Sequence, residues 1–183
     1  MKCFSCNKKA EIKLSYTDRQ YCNSCFLRLI ESRVRKELRK DKIIKAKETL
    51  FIINDRSKEY YITKYFLKRI FGNYLSVKDL KDKGRTTNNK IIIPWNMDRE
   101  LSARLREYFS NKAPNIRKNQ VYLLKCVIDE ELMIVARILG ITGKKEPYDE
   151  FIEKIEKKYP GIKFSLYQSF EHLKSGNILE KKH

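Results

Sequence analysis

Four of the five cysteines in this 183-residue chain fall within its first 25 residues, as the pairs Cys3-x2-Cys6 and Cys22-x2-Cys25. A C-x-x-C turn aims two thiolates at one point, and two such turns can close a tetrahedral four-sulfur site of the kind that suits Zn(II). The fifteen residues between the pairs match the spacing of a zinc ribbon. Four protein thiolates leave no position for water, so the expected role of the metal is structural. About 25 residues cannot bury a core of their own, and metal binding would supply the folding energy. Lys8, Lys9 and Lys13 would favour the negative charge of a tetrathiolate. Two disulfides or an iron–sulfur centre are the alternatives. Disulfides fit poorly with a chain that begins Met1-Lys2-Cys3 and shows no apolar signal segment. Cys126 stands apart in an apolar run, where a single cysteine is expected to act as a small core side chain. No histidine lies near it to activate it, since the only two are His172 and His183.

Two elements must hold the cysteines in place. Ala10 to Tyr16 alternates in polarity and predicts a hairpin strand between the knuckles. From Phe26 to about Lys40, the apolar residues Phe26, Leu29, Ile30, Val34 and Leu38 recur at helical spacing. The opposite face of this helix carries Arg28, Arg33, Arg35, Lys36, Arg39 and Lys40. Residues 28–47 hold nine basic and three acidic side chains, and few of the basic ones have an acidic partner one turn away. Arg33, Arg35, Lys36, Arg39, Lys40 and Lys42 are therefore the candidate contacts for an anionic partner. The expected organisation is a zinc ribbon over residues 1–27, a basic connecting helix over 28–47 and an α/β domain over 48–183.

The whole chain shares this charge asymmetry. Lys and Arg total 41 against 23 Asp and Glu, a formal net charge of +18. Such an imbalance points first to nucleic acid. A composition 42% hydrophobic and 11% aromatic excludes a wholly disordered chain. The longest apolar runs, such as Leu50–Ile53 and Ile91–Ile93, are far short of a membrane span. A soluble, cytoplasmic protein is expected.

Beyond the basic helix, Thr49–Ile53 reads as a buried strand and Lys58–Phe71 as a helix ended by Gly72-Asn73. Ser76–Lys83 reads as a short helical turn and Gly84–Asn89 as a loop. Ile91–Ile93 is a second strand, Met97–Tyr108 a helix with Leu101, Leu105 and Phe109 inward, and Val121–Val127 a third strand. Helices follow over Asp129–Leu139, stopped by Gly140, and over Pro147–Lys158, ended by Pro160-Gly161. The alternation predicts a small three-stranded parallel sheet flanked by helices. Trp95, Tyr60, Tyr61 and Tyr65 are more aromatic bulk than so small a sheet readily covers, and are candidates for a subunit interface.

The order of these modules resembles the tRNA 2-thiolation enzymes, the thiolases of the adenine-nucleotide-α-hydrolase (PP-loop) type. The paired knuckles lead into Cys25-Phe26…Glu31-Ser32-Arg33-Val34-Arg35-Lys36. Trp95-Asn96-Met97-Asp98-Arg99-Glu100 is similar to that family's G-H-N-L-D-D-E segment. Val121-Tyr122-Leu123-Leu124 through Glu130-Glu131-Leu132…Gly140-Ile141 resembles its strand and helix beginning I-K-P-L. Lys157-Lys158-Tyr159-Pro160-Gly161-Ile162-Lys163-Phe164-Ser165 is similar to its late E-E-K-x-P-G-T-K-F-S. The resemblance implies a reduced Rossmann-like fold and tRNA as partner.

The departures lie at the chemistry. The family's ATP loop, S-G-G-x-D-S, follows the first strand, and its glycines let backbone amides wrap pyrophosphate. Here the strand runs into Asn54-Asp55-Arg56-Ser57-Lys58-Glu59, without glycine and with two carboxylates that would repel phosphate. Pro94-Trp95 replaces the family's G-H, and Arg99 its second Asp. The central segment has no cysteine pair, the third cysteine context C-P-Y reads Glu146-Pro147-Tyr148, and no cysteine follows Cys126 to form a second ribbon. The resemblance thus implies no ATP site and no catalytic residues. The expected function is that of a non-catalytic subunit of a tRNA wobble-uridine 2-thiolation complex, like the degenerate partner subunit of the eukaryotic enzyme. It would form a heterodimer with a catalytic thiolase paralogue. The competing readings are an independent zinc-ribbon protein that binds ribosomal or other structured RNA, and an enzyme with a site of another kind.

Overall fold

The computed structural model describes residues 1–40, 44, 49–81, 90–110, 119–144 and 150–179. At the N-terminus, β1 (Ile12–Leu14) and β2 (Thr17–Tyr21) form an antiparallel hairpin. Helix α1 (Asn23–Lys40) starts at once from the second knuckle. Then come β3 (Thr49–Ile53), α2 (Lys58–Phe71), β4 (Ser76–Leu80), β5 (Ile91–Ile92), α3 (Met97–Phe109), β6 (Gln120–Val121), α4 (Asp129–Leu139), α5 (Glu150–Lys158) and α6 (Ile162–Leu179). The four strands β4-β3-β5-β6 make one parallel sheet in that order, so the expected mixed α/β fold with a parallel sheet is present.

The buried stripe of α1 is Phe26, Ile30, Val34 and Leu38, the periodic set of its sequence. These residues share one apolar cluster with Cys3, Ile12 and Leu14 of the ribbon and with Leu50, Ile52 and Ile92 of the sheet. The ribbon is thus packed into the main core through α1. A second cluster joins α3, α5 and α6 through Met97, Leu101, Ile152 and Tyr167.

The sheet departs from expectation in two places. Ser76–Leu80 is an edge strand where a helical turn was expected: all five residues pair with β3, from Thr49↔Ser76 to Ile53↔Leu80. Tertiary pairing has overridden a weak local signal. The sheet accordingly has four strands, where three were expected. The strand expected over Val121–Val127 is regular only at Gln120–Val121 and makes one further bridge, Leu124 to Asn96. The chain then turns, with the Val127 amide donating to the Leu124 carbonyl at 2.9 Å, yet Leu123, Leu124, Cys126 and Val127 all remain buried. The apolar run reported burial and not extension.

Among the helices, Phe109 is 73% exposed and does not point inward. Helix α6 is absent from the sequence reading because its residues show little amphipathic order. Pro160-Gly161, read there as a terminator, instead leads into it. The Glu156 carboxylate accepts from the amides of Gly161 at 2.8 Å and Lys163 at 3.2 Å, capping the start of α6. The loop expected over Gly84–Asn89, the residues Glu146-Pro147-Tyr148 and Lys42 lie outside the described residues. No helix among the described residues is long and apolar enough to cross a membrane.

Candidate functional site

The four cysteine sulfurs converge. Their Sγ atoms all lie within 4.8 Å of one another, and Cys6 and Cys22 are 3.6 Å apart. Cys3 and Cys6 come from the first knuckle, Cys22 follows β2, and Cys25 sits in the first turn of α1. The knuckle is pinned by backbone bonds. The Cys3 amide donates to the Lys8 carbonyl at 2.7 Å and the Phe4 amide to the Gln20 carbonyl at 2.8 Å. Asn7 takes φ 60° to close the turn, a conformation asparagine tolerates better than most residues. None of the four is joined in a disulfide, and the 3.6 Å between the Cys6 and Cys22 sulfurs is well beyond a bonded pair.

The electrostatics fit a cation. Burial opposes ionisation of Cys3, but amide hydrogens of Cys22, Ser5 and Cys6 outweigh it and bring that thiol down to about 6. Hydrogen bonding to Cys6, together with burial, pushes the Cys25 thiol up to about 12. A cation held among the four sulfurs would draw the remaining protons from them. The Arg28 guanidinium adds a donor to Cys25 Sγ at 3.6 Å. At a Zn–S distance of about 2.3 Å a tetrahedral centre holds its sulfurs about 3.8 Å apart. The spacing seen here suits a single ion at the centre.

The basic residues of α1 divide into different roles. Arg33 turns inward: its guanidinium donates to Glu131 Oε1 at 2.6 Å and to the Tyr16 hydroxyl at 3.4 Å, and lies over the Phe164 ring. Tyr16 also donates to Glu131. Glu131 is fully buried at the start of α4, where Oε2 accepts from the Ile128 amide at 3.3 Å. Burial pushes the Glu131 carboxyl up, and Arg33 is the main influence holding it down. Ribbon, α1 and α4 are thus tied at one point. Sequence reading missed this junction; its one visible trace is the glutamate at the third position of α4, placed to cap the helix start. Arg35 is paired with Glu31 at 2.7 Å, and Glu31 also binds Arg69 of α2. Lys36 and Arg39 are exposed. Of Lys40, only the backbone is described.

The loop from β3 into α2 occupies the place where two strands diverge in the connectivity: β3 leads through α2 to β4, and its other neighbour β5 leads through α3 to β6. In open α/β sheets such a switch point, at the carboxyl ends of the strands, is where ligands bind. Here it is filled by the protein itself. Ser57 caps α2 by accepting from the Tyr60 amide at 3.1 Å. Asp55 Oδ1 in turn accepts from the Ser57 amide at 3.0 Å and from its hydroxyl at 2.5 Å. An internal carboxylate therefore sits where an anion would bind a helix start. Arg99 of α3 reaches Asp55 at 3.8 Å and stacks over Trp95 at 5.3 Å, and Trp95 packs against Tyr122 at 5.6 Å. Asp55 and Arg99, two departures seen separately in the sequence, meet across the crevice.

A third element closes over the same loop. The Lys144 amide donates to the Arg56 carbonyl at 3.2 Å. A side chain at Gly143 would come within 2.7 Å of the Lys58 backbone nitrogen, so only glycine lets the strands approach. Nothing local marks Gly143 for this role, because the contact spans more than 80 residues. Glu59 behaves differently from expectation. It is 2% exposed, and burial pushes its carboxyl up, so it belongs to the interior and does not face a phosphate. Asp98, next to Arg99 in the chain, is buried. It pairs with Lys163 and accepts from the Asp129 amide at 2.8 Å.

No sequence-family profile matches this chain, and no curated protein is detectably similar to it in sequence. Among solved structures it is similar to the U34-tRNA thiolase NcsA from Methanococcus maripaludis, determined with its [4Fe-4S] cluster. The TM-score is 0.77 at 16% identity, covering 94% of this chain and 87% of that one. At this identity the likeness is one of fold. It takes in the ribbon as well as the sheet, since nearly the whole chain superposes.

Proposed function

We propose that this chain is a non-catalytic subunit of a tRNA wobble-uridine 2-thiolation complex, holding one structural zinc and binding tRNA beside a catalytic thiolase paralogue in a heterodimer. The observation that carries the reading is the thiolase fold with its nucleotide crevice filled from within by Asp55, Arg99 and the Gly143–Lys144 segment. A phosphate approaching the amides of α2 would have to displace the Asp55 carboxylate and break its pairing with Arg99.

Zinc is supported by the sulfur spacing. Cys3, Cys6, Cys22 and Cys25 would hold it, and it would supply folding energy and rigidity to the ribbon. A four-iron cubane sits between its cysteines and needs them farther apart than one ion does. The spacing therefore favours one zinc ion over a four-iron cluster at these four cysteines.

The RNA surface is assigned to Lys36 and Arg39, exposed in the second half of α1, with Lys40 and Lys42 continuing it along the sequence. Arg33 and Arg35 serve the fold. For the paralogue interface Tyr60 is excluded, being buried, whereas Tyr61 is 41% exposed and stays a candidate with the half-buried Tyr65 and Trp95. The direct test of the filled crevice is calorimetry with ATP and Mg²⁺. No binding tighter than about 100 μM, or some 5–6 kcal/mol, is expected. Tighter binding would remove the non-catalytic reading.

A further inference from the structure

The ribbon carries an exposed aromatic ring that the core does not use. Phe4, inside the Cys3–Cys6 knuckle, is 61% exposed. It is nevertheless held firmly. Its amide is bonded to Gln20 of β2, its ring edge meets Tyr21 at 6.2 Å, and the Arg19 guanidinium lies over the ring at 4.4 Å. Lys2, Lys8, Lys9 and Arg19 are exposed on the same small module. A rigid ring stacked on a guanidinium and set among cations is the combination by which proteins hold an unpaired nucleobase and its flanking phosphates.

We propose that Phe4 and Arg19 form a stacking platform for an unpaired base of RNA, with Lys2, Lys8 and Lys9 meeting the neighbouring phosphates. This deepens the reading of the chain as a tRNA-binding subunit and rests on it. The platform recognises single-stranded or looped RNA, whereas the cations of α1 meet phosphates regardless of pairing. Phe4 is mostly exposed and touches the core only at its edge on Tyr21, so its replacement perturbs recognition more than folding.

The test is fluorescence anisotropy of the full-length, zinc-loaded protein with a labelled twelve-residue oligouridine, and with an RNA duplex of the same length. Phe4→Ala should weaken oligouridine binding roughly five- to 150-fold, the range for one lost stacked base. Duplex binding and the salt dependence of oligouridine binding should stay as in the unaltered protein, because no phosphate contact is lost. Phe4→Tyr, which keeps a ring, should retain affinity, and Phe4→Leu, which keeps only bulk, should not. Zinc content and circular dichroism of each variant check that the ribbon is intact. Unchanged oligouridine affinity in Phe4→Ala, or an equal loss on duplex and single strand, overturns the platform. If that happens while Lys36→Glu/Arg39→Glu still weakens tRNA binding, the tRNA-binding reading stands without it. If the unaltered protein binds neither RNA nor tRNA, both fail.

Discussion

Replacing Arg33 by alanine should show how much the ribbon depends on the body of the protein. The change strips the main cationic partner from Glu131, a carboxylate with 0% exposure. Removing one partner of a buried ion pair typically costs about 3–5 kcal/mol. The Arg33 side chain is 29% exposed, which screens the pair, and the Tyr16 hydroxyl and Ile128 amide still serve Glu131. The expected loss is therefore about 2–3 kcal/mol, below the fully buried case. The sign with pH follows from Glu131. Burial holds its folded pKa above the unfolded value, and loss of Arg33 raises it further. A raised carboxyl favours folding while protonated, and that advantage is lost as pH rises through the folded pKa. Arg33→Ala should accordingly cost more at pH 8 than at pH 5. Urea denaturation followed by the fluorescence of Trp95, the single tryptophan, gives both values against the unaltered protein at each pH. A cost under about 0.5 kcal/mol, the level of an ordinary surface change, or one that does not grow with pH, would refute the junction.

Three further outcomes are expected. Elemental analysis should find one zinc per chain, and Cys25→Ser should lose it and loosen the ribbon and the start of α1; stoichiometric iron would contradict the metal assignment. Gly143→Ala should destabilise by about 1–3 kcal/mol, as a side chain forced against fixed backbone does, read as a fall in Tm; an unchanged Tm would mean that the segment does not close on α2 as described. Lys36→Glu/Arg39→Glu should weaken tRNA binding and flatten its log–log salt dependence by about 1.8 for two lost duplex phosphate contacts, whereas unaltered affinity would take α1 off the RNA surface.

The cysteine cluster was legible because its signal is local: two C-x-x-C turns fix both the ligand type and where the chain must return. The buried stripe of α1 and the helix stop at Gly140 were legible for the same reason. What escaped depends on distant partners. Ser76–Leu80 becomes a strand only because β3 offers five pairing positions, and Arg33 looks like a surface cation until Glu131, nearly a hundred residues away, is brought beneath it. The crevice was half legible. The absence of glycine after β3 was visible, but not that Arg99 and the Gly143 segment fill the space. Glu59 misled because sequence position alone does not say whether a carboxylate faces a ligand or the core.

The central claim is tested most directly by a tagged pull-down of this chain from its native cells, read by protein mass spectrometry and RNA sequencing. The account predicts a co-purifying paralogue that carries S-G-G-x-D-S and a catalytic cysteine pair, together with tRNA. Recovery of ribosomal proteins and ribosomal RNA, with no such paralogue, would contradict it and favour an independent RNA-binding protein.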